Sequence, residues 1–170
     1  MTPPPRRSVP VNATVVEMTQ IVLPSHANNN GTAFGGQMAA WIDICAAVSA
    51  QRFSRTTVVT ASMDELHFLR GARRGMVVVL KSQVNQAWNS SIEVGVRVET
   101  EDPLTGIREH CCSAYLTFVA LDQSGKKVAV PKFDTEQNPV TEQRAMDAQK
   151  RRDARLSMRR HRRTIPTNPA

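Results

Sequence analysis

A chain of 170 residues is long enough for one domain with a substantial core and short for two. Its net charge is +7, and nine basic against two acidic residues between Arg144 and Arg163 account for all of it. The high charge therefore belongs to one C-terminal segment and says little about the partner of the rest. Neither a signal peptide nor an apolar run long enough to cross a bilayer is found, which predicts a cytoplasmic protein without a membrane partner.

The first third of the chain leads into one unusual helix. Residues 1–11, rich in Pro and Arg, predict a disordered lead, and Thr14–Leu23 predicts a first strand that ends at Pro24. An Asn- and Gly-rich loop, Ser25–Gly36, then delivers the chain to a helix. From residue 38 to residue 48 every side chain except Asp43 is apolar on all faces, a pattern typical of a helix wrapped by a core.

Asp43 is the residue in this helix that needs an explanation. Its helical neighbours three and four positions away are all alanine, so no cation on the same helix can neutralise it. Either Asp43 finds a partner elsewhere in the fold, or it lines a cavity and takes part in chemistry.

Four further strands follow the helix. The clearest is Ser90–Thr100, where apolar Ile92, Val94, Val96 and Val98 alternate with polar residues, as in a half-buried strand. The other three segments are 56–69, with a bulge expected near Asp64, then 76–88 and 108–121. Short turns join these segments, which favours an α+β fold in which an antiparallel sheet of five to six strands curls around one helix.

The C-terminal segment predicts a second helix. Residues 141–163 are rich in Ala, Gln and Arg without Gly or Pro, so a helix with a strongly basic face is expected. The domain would then span residues 12–135, and the basic helix and tail residues 136–170. The default interpretation of the basic face is solvation, ahead of attraction of phosphate groups and, a distant third, non-specific binding of nucleic acid.

Three separated blocks, in order and at family spacing, carry a resemblance that covers roughly residues 14–131. The first contains His26–Asn28, Gly31, Gly35–Met38 and Trp41–Asp43; the second is Val59–Asp64; the third is Asn89–Val94. Together they resemble the hotdog-fold acyl-CoA thioesterases, with the closest likeness to the cytosolic and brown-fat-inducible acyl-CoA hydrolases and their short bacterial relatives.

The resemblance implies a sheet that wraps a central helix and protomers that pair edge to edge. Members with two hotdog units build the active site between units, with an Asn from one loop and an Asp from the other helix. Here those roles fall on Asn28 and Asp43, with Asn29 and Asn30 as neighbours in the same loop. Because this chain has one unit, the resemblance implies an obligatory homodimer, commonly a trimer of dimers, acting on acyl-CoA.

The resemblance also implies coenzyme A contacts and no cofactor, since the thioester itself is the substrate. The implied contacts are Ala61, Ser62 and Met63 in the second block, Ser90, Ser91 and Ile92 in the third, and Arg151 or Arg152 in the C-terminal helix. No metal is expected, because the four histidines are scattered without ligand spacing.

The chemistry can be argued from the residues themselves. A carboxylate in an apolar pocket is a stronger base than one in water, so Asp43 is suited to activate a water molecule. The helix start offers free backbone amides at Gly35 and Gly36, which with the Asn28 amide would stabilise an oxyanion. Structural interpretations stay open: Asn28 as a turn residue, Ser90 and Ser91 as the start of a strand, and Asp43 as a loop anchor.

Three function classes remain at this stage. The favoured one is an acyl-CoA hydrolase. The second is an acyl-CoA-binding regulator whose basic tail contacts nucleic acid, and the presence of both Asn28 and Asp43 argues against it. The third is a hotdog dehydratase, which would need a His beside the acid, and the helix contains none.

Overall fold

The computed structural model describes residues 6–164 and contains one five-stranded sheet, one two-stranded sheet and two long helices. The strands and helices in chain order are β1 (Ser8–Pro10), β2 (Val16–Ile21), α1 (Gly35–Ser54), β3 (Thr57–Met63), β4 (Val77–Ala87), β5 (Ser91–Glu101), β6 (Arg108–Leu121), β7 (Lys132–Asp134) and α2 (Pro139–Thr164). The α+β prediction of an antiparallel sheet around one helix is confirmed.

The large sheet has the strand order β2-β4-β5-β6-β3, and every neighbouring pair is antiparallel. Its apolar side chains from β4, β5 and β6 pack on α1, and Ile42, Phe53 and Cys45 of the helix are fully buried there. Strands β2 and β3 form the two edges. The sheet therefore leaves β3, the strand that follows α1 directly, without a partner on one side.

Helix α1 is not enclosed on all faces, and this part of the sequence interpretation was wrong. Ala40, Ile44 and Gln51 are exposed, and Ile44 retains 55% of its accessible surface. Asp43 lies beside this stripe and is half-buried. Some apolar residues of α1 therefore do not pack in the core, because one stripe of the helix faces away from its own sheet.

Helix α2 packs across the outer face of the sheet through Ala145 and Ala148, which are buried. The predicted basic face is only partly solvated, because Arg151 and Arg155 turn inward onto Glu93 of β5. Neither α2 nor any other helix in the described part of the chain is long and apolar enough to cross a membrane.

Two local expectations are corrected. Ser8–Pro10, inside the lead expected to be disordered, pairs in parallel with Lys132–Asp134. The bulge expected near Asp64 lies instead between Thr60 and Ser62, and β3 ends at Met63. The remainder of the lead, residues 1–5, and the tail after residue 164 lie outside the described residues, and the domain boundary at 135/136 stays a prediction.

Candidate active site

The carboxylate of Asp43 is held by the strand that follows its own helix. Thr60 Oγ1 donates a hydrogen bond of 2.7 Å to Asp43 Oδ1. Asp43 is half-buried on α1 and Thr60 lies on the exposed edge strand β3, so the pair sits where the helix stripe meets the free sheet edge. Oδ2 is left as the freer oxygen, and a base at this position can reach a water molecule from the open side.

Thr60 is the residue that the sequence interpretation missed. It stands inside the second block of the resemblance, but a β-branched residue in a strand is ordinarily explained by strand propensity alone. No sequence signal set Thr60 apart, because the exposure of Val59, Thr60 and Ala61 follows from the edge position of the strand, which this stretch alone does not predict.

Asn28 lies on the exposed loop that precedes α1 and acts as an acceptor within that loop. Its Oδ1 accepts hydrogen bonds from the backbone N of Asn30 at 2.9 Å and from the backbone N and Oγ1 of Thr32, both at 3.2 Å. This is an Asx-type turn, and it fixes the side chain in one orientation. Within residues 6–164 no hydrogen bond from Asn28 Nδ2 is found, so the amide group points two donors at solvent.

The first turn of α1 offers further donors. Phe34 precedes the helix without a capping side chain, and the opening turn contains no acidic residue. The amides of Gly35 and Gly36 therefore have no partner within the helix. A Cβ at Gly36 would lie 2.7 Å from the Phe34 ring, so only glycine allows that ring to lie against the turn. The exposed Phe34 and Phe68 rings give the helix start an apolar border.

No cysteine competes for the role of nucleophile near Asp43. Cys45 is two residues away on α1 but belongs to the opposite, fully buried side of the helix. Burial raises the pKa of the Cys45 thiol, and the hydrogen bond with Ser82 offsets this only in part. A buried neutral thiol is inert, which leaves the carboxylate as the reactive group on this helix.

The residues of the second and third blocks separate into accessible and inaccessible ones. Ala61 is exposed on β3, and Ser62 and Met63 are half-buried. Ser90 and Ser91 lie in the β4–β5 hairpin, where the carbonyl of Ser91 accepts the backbone N–H of Trp88 at 2.9 Å. Ile92 is fully buried in the core, so its side chain is withdrawn from the surface, and its contact with coenzyme A stays a prediction.

The two arginines considered together in α2 have different surroundings. Arg151 lies over the Tyr115 ring at 3.6 Å and donates from Nε and Nη2 to Glu93 Oε1 at 3.1 and 2.7 Å. Arg152 lies over the Trp88 ring at 4.4 Å, and its Nη1 is buried without a hydrogen-bond partner in the described chain. Arg151 is thus occupied by the protein itself, whereas Arg152 retains an unused donor.

Within one chain the candidate catalytic groups form two separate clusters. One contains Asp43, Thr60 and Ala61 at the edge formed by α1 and β3, and the other contains Asn28 and the backbone amides at the start of α1. In the described residues no hydrogen bond joins Asn28 to Asp43. The same part of the chain has no group of three or more His, Cys, Asp or Glu residues placed to hold a metal ion.

Comparisons with known proteins identify relatives of this chain. Residues 30–107 match the model of the thioesterase superfamily. The chain is 41% identical to an acyl-CoA thioester hydrolase, YkhA, of Bacillus subtilis over 149 residues, which is 86% of this chain and 84% of YkhA. It is 40% identical over 141 residues to acyl-coenzyme A thioesterase 11 of Mus musculus, covering 79% of this chain but only 24% of the mouse protein.

Solved structures are similar over nearly the whole chain. An acyl-CoA hydrolase from Bacillus cereus is 29% identical, with a TM-score of 0.88 and coverage of 97% of this chain and 99% of that one. An acyl-CoA hydrolase from Staphylococcus aureus, in complex with butyryl coenzyme A and coenzyme A, is 30% identical with a TM-score of 0.84, covering 92% and 94%. Its Asp43Ala, Asn28Ala and Thr60Ala mutants have also been solved.

A hexameric acyl-CoA thioesterase is 35% identical to this chain, with a TM-score of 0.83 and coverage of 94% and 99%. The curled sheet and its central helix are thus a hotdog fold, which defines the class. The chain belongs to the thioesterase superfamily, among relatives that are acyl-CoA thioester hydrolases.

Proposed function

We propose that this protein hydrolyses acyl-CoA to a free carboxylic acid and coenzyme A at a site completed between two protomers. The observation that carries the proposal is the Asp43 carboxylate, oriented by Thr60 at 2.7 Å and facing the open edge of the sheet. The substrate class is suggested by the relatives, which are acyl-CoA hydrolases. The S. aureus enzyme was mutated at Asn28, Asp43 and Thr60, and this chain has the same residue types at the same numbers.

The reaction needs a base and an oxyanion site. Asp43 takes a proton from a water molecule, whose oxygen forms a bond to the thioester carbon. The negative charge on the carbonyl oxygen is stabilised by Asn28 Nδ2 and the backbone amides of Gly35 and Gly36. When the C–S bond breaks, the protonated Asp43 returns its proton to the leaving thiolate, so the products are the acid and the free thiol.

The site is shared because one chain leaves both halves open. Strand β3 has no partner on one side, and its Val59 is 44% exposed. An unpaired edge with exposed apolar residues is a template for pairing with a second strand. Pairing of two β3 edges places the exposed stripe of α1 beside a second chain, whose Asn28 loop completes the site. A homodimer follows, and its assembly as a trimer of dimers is in keeping with the hexameric relative.

The coenzyme A contacts divide between the sheet edge and α2. Ala61, Ser62 and Met63 would contact the extended part of the ligand, while Ser90 and Ser91 offer hydroxyl groups in the adjacent hairpin. Of the two arginines, Arg152 is the phosphate contact, since Arg151 is bound to Glu93 and Arg152 forms no ion pair in the described chain. A guanidinium with an unused donor suits an anionic phosphate.

The test measures thiol release from acyl-CoA substrates of increasing chain length. Separate Asn28→Ala and Asp43→Ala proteins should each be inactive, and a mixture allowed to exchange subunits should recover part of the activity. The recovered sites contain one wild-type Asn28 and one wild-type Asp43 from different chains. Failure of the wild-type protein to release thiol from any acyl-CoA contradicts the activity, and no recovery after verified exchange contradicts the shared site.

A further inference from the structure

The docking of α2 depends on a carboxylate that is fully buried. Glu93 on β5 has no accessible surface, although Gly95 and Arg97, which follow it on the same face of the strand, are half-buried and exposed. Its Oε1 accepts two hydrogen bonds from Arg151, at 3.1 and 2.7 Å, and one from Asn85 Nδ2 at 3.4 Å. A buried charge is tolerated only when it is paired and hydrogen-bonded, and here α2 supplies the pairing.

Arg155 extends this cluster to a second carboxylate. Its Nη2 donates to Glu93 Oε2 at 2.9 Å and its Nη1 donates to Asp64 Oδ2 at 2.6 Å. Asp64 directly follows the last residue of β3, and its backbone N–H donates to the carbonyl of Tyr115 on β6 at 2.9 Å. One guanidinium therefore joins the end of the edge strand to both β5 and α2.

The bridge lies next to residues that are proposed to contact coenzyme A. Ala61–Met63 immediately precede Asp64, and Arg152 is one helical turn before Arg155 on α2. The side chain of Trp88 is held from α2 as well, since its Nε1 donates to Gln149 Oε1 at 2.7 Å. The two groups of proposed coenzyme A contacts lie on different elements, and the bond between Arg155 and Asp64 joins those elements.

We propose that Arg155, through Asp64, is a positioning residue for coenzyme A, holding the end of β3 at a fixed distance from Arg152 on α2. This inference rests on the proposed function. A guanidinium is suited to the role because its planar fork can bind two carboxylates at once, whereas an ammonium group lacks this geometry. The C-terminal helix is thereby part of the ligand-binding site and not only an addition to the outside of the domain.

The bridge is separable from the attachment of α2. The bonds between Glu93 and Arg151 and the contact of Arg151 with the Tyr115 ring do not involve Asp64. The side chains of Arg155 and Asp64 are 20% and 21% exposed, so their pair is only partly withdrawn from water. Removing the charge of Asp64 should therefore break the link between the end of β3 and α2 while the helix stays docked.

The experiment compares Asp64→Asn, Asp64→Glu and the control Arg144→Gln, which removes an exposed arginine elsewhere on α2. Titration calorimetry measures the Kd for coenzyme A, steady-state kinetics measure KM and kcat for acyl-CoA, and thermal denaturation measures Tm. Asp64→Asn should raise the Kd for coenzyme A and the KM about tenfold with kcat within about twofold, the loss expected for one charge-assisted hydrogen bond. Asp64→Glu retains the carboxylate and should restore most of the affinity, and Arg144→Gln should match the wild type.

An Asp64→Asn protein with unchanged Kd and KM overturns the positioning role. Equal losses in Asp64→Asn and Asp64→Glu, with a lowered Tm in both, also overturn it, because the pair would then act on stability alone. A wild type that binds coenzyme A but releases no thiol refutes the proposed function, while the comparison of Kd values still decides the positioning role.

Discussion

The two acids Asp43 and Glu93 lie on opposite sides of the sheet and have opposite surroundings. Asp43 stands in an apolar helix, yet it is half-buried and accepts one hydrogen bond, from Thr60. Glu93 stands in a strand whose alternation suggests exposure, yet it has no accessible surface and accepts four hydrogen bonds, three of them from arginines. Burial of a carboxylate follows its partners, and not the polarity of its sequence neighbours.

This contrast separates a reactive acid from a structural one. Glu93 has no accessible surface, and both of its carboxylate oxygens accept hydrogen bonds. Asp43 retains a free oxygen on the open side of α1, where a second chain is expected. A site that is incomplete in one protomer and a cluster that is complete in it predict opposite responses to substitution, in activity for Asp43 and in stability for Glu93.

The largest effect is expected for Asp43→Asn. Asparagine keeps an oxygen that accepts the hydrogen bond of Thr60 but cannot take a proton from water, so kcat should fall by about 10²- to 10⁴-fold. The oligomer and Tm should stay as in the wild type, because the side chain is half-buried with one partner. Thiol release and size-exclusion chromatography measure the two properties, and turnover within a factor of two of the wild type would refute the base assignment.

Glu93→Ala should lower stability. It leaves Arg151 and Arg155 without their buried partner, and loss of one member of a buried ion pair costs about 3 kcal/mol of unfolding free energy. Asp64 retains one bond to Arg155, so the helix should loosen rather than the whole domain unfold. Urea denaturation measures the loss. A stability equal to that of the wild type would show that the cluster does not hold α2.

Thr60→Val isolates the orientation of Asp43. Valine has nearly the shape of threonine but cannot donate the 2.7 Å hydrogen bond to Oδ1. A hydrogen bond to a charged group contributes about 1.5–3 kcal/mol, so kcat should fall about tenfold or more. Stability should change by less than about 0.5 kcal/mol, since Thr60 is exposed on an edge strand. Thr60→Ser, which keeps the hydroxyl, is the matched control, and an equal fall in both variants would contradict an orienting role.

Local signals explain how much of the fold could be predicted. Strand β6 was predicted at its observed bounds, Arg108–Leu121, because Asp- and Gly-containing turns bracket it on both sides. The inward face of β5 also followed from its alternation. The error on α1 has a plain cause: alanine is apolar and the best helix former, so Ala40 can face solvent without cost.

The candidate site was predictable only in part, because its groups meet through long-range contacts. The resemblance supplied Asn28 and Asp43. No residue near Glu93 in the sequence predicts its arginine partners, which lie 58 and 62 residues further along the chain. Arg151 and Arg152 are adjacent and of one type, so sequence could not decide between them. The structure separates them because a helix places successive residues about 100° apart, which turns one toward Glu93 and the other toward Trp88.

The smallest effect concerns a third carboxylate, Glu99, on the outer face of β5. The hydrogen bond from Arg97 lowers the pKa of Glu99 from its ordinary value of 4.5, and the charges of Arg97, Lys81 and Arg108 lower it further. A lowered pKa in the folded state means that this stabilisation is present above pH 4.5 and is lost as the pH falls through the lowered value. Glu99→Gln should therefore lose about 0.5–1 kcal/mol at pH 7. The unfolding free energies of the variant and the wild type, measured by urea denaturation at several pH values, should converge in acid. A difference that stays constant down to pH values below the lowered pKa would show that Glu99 contributes through packing and not through its charge.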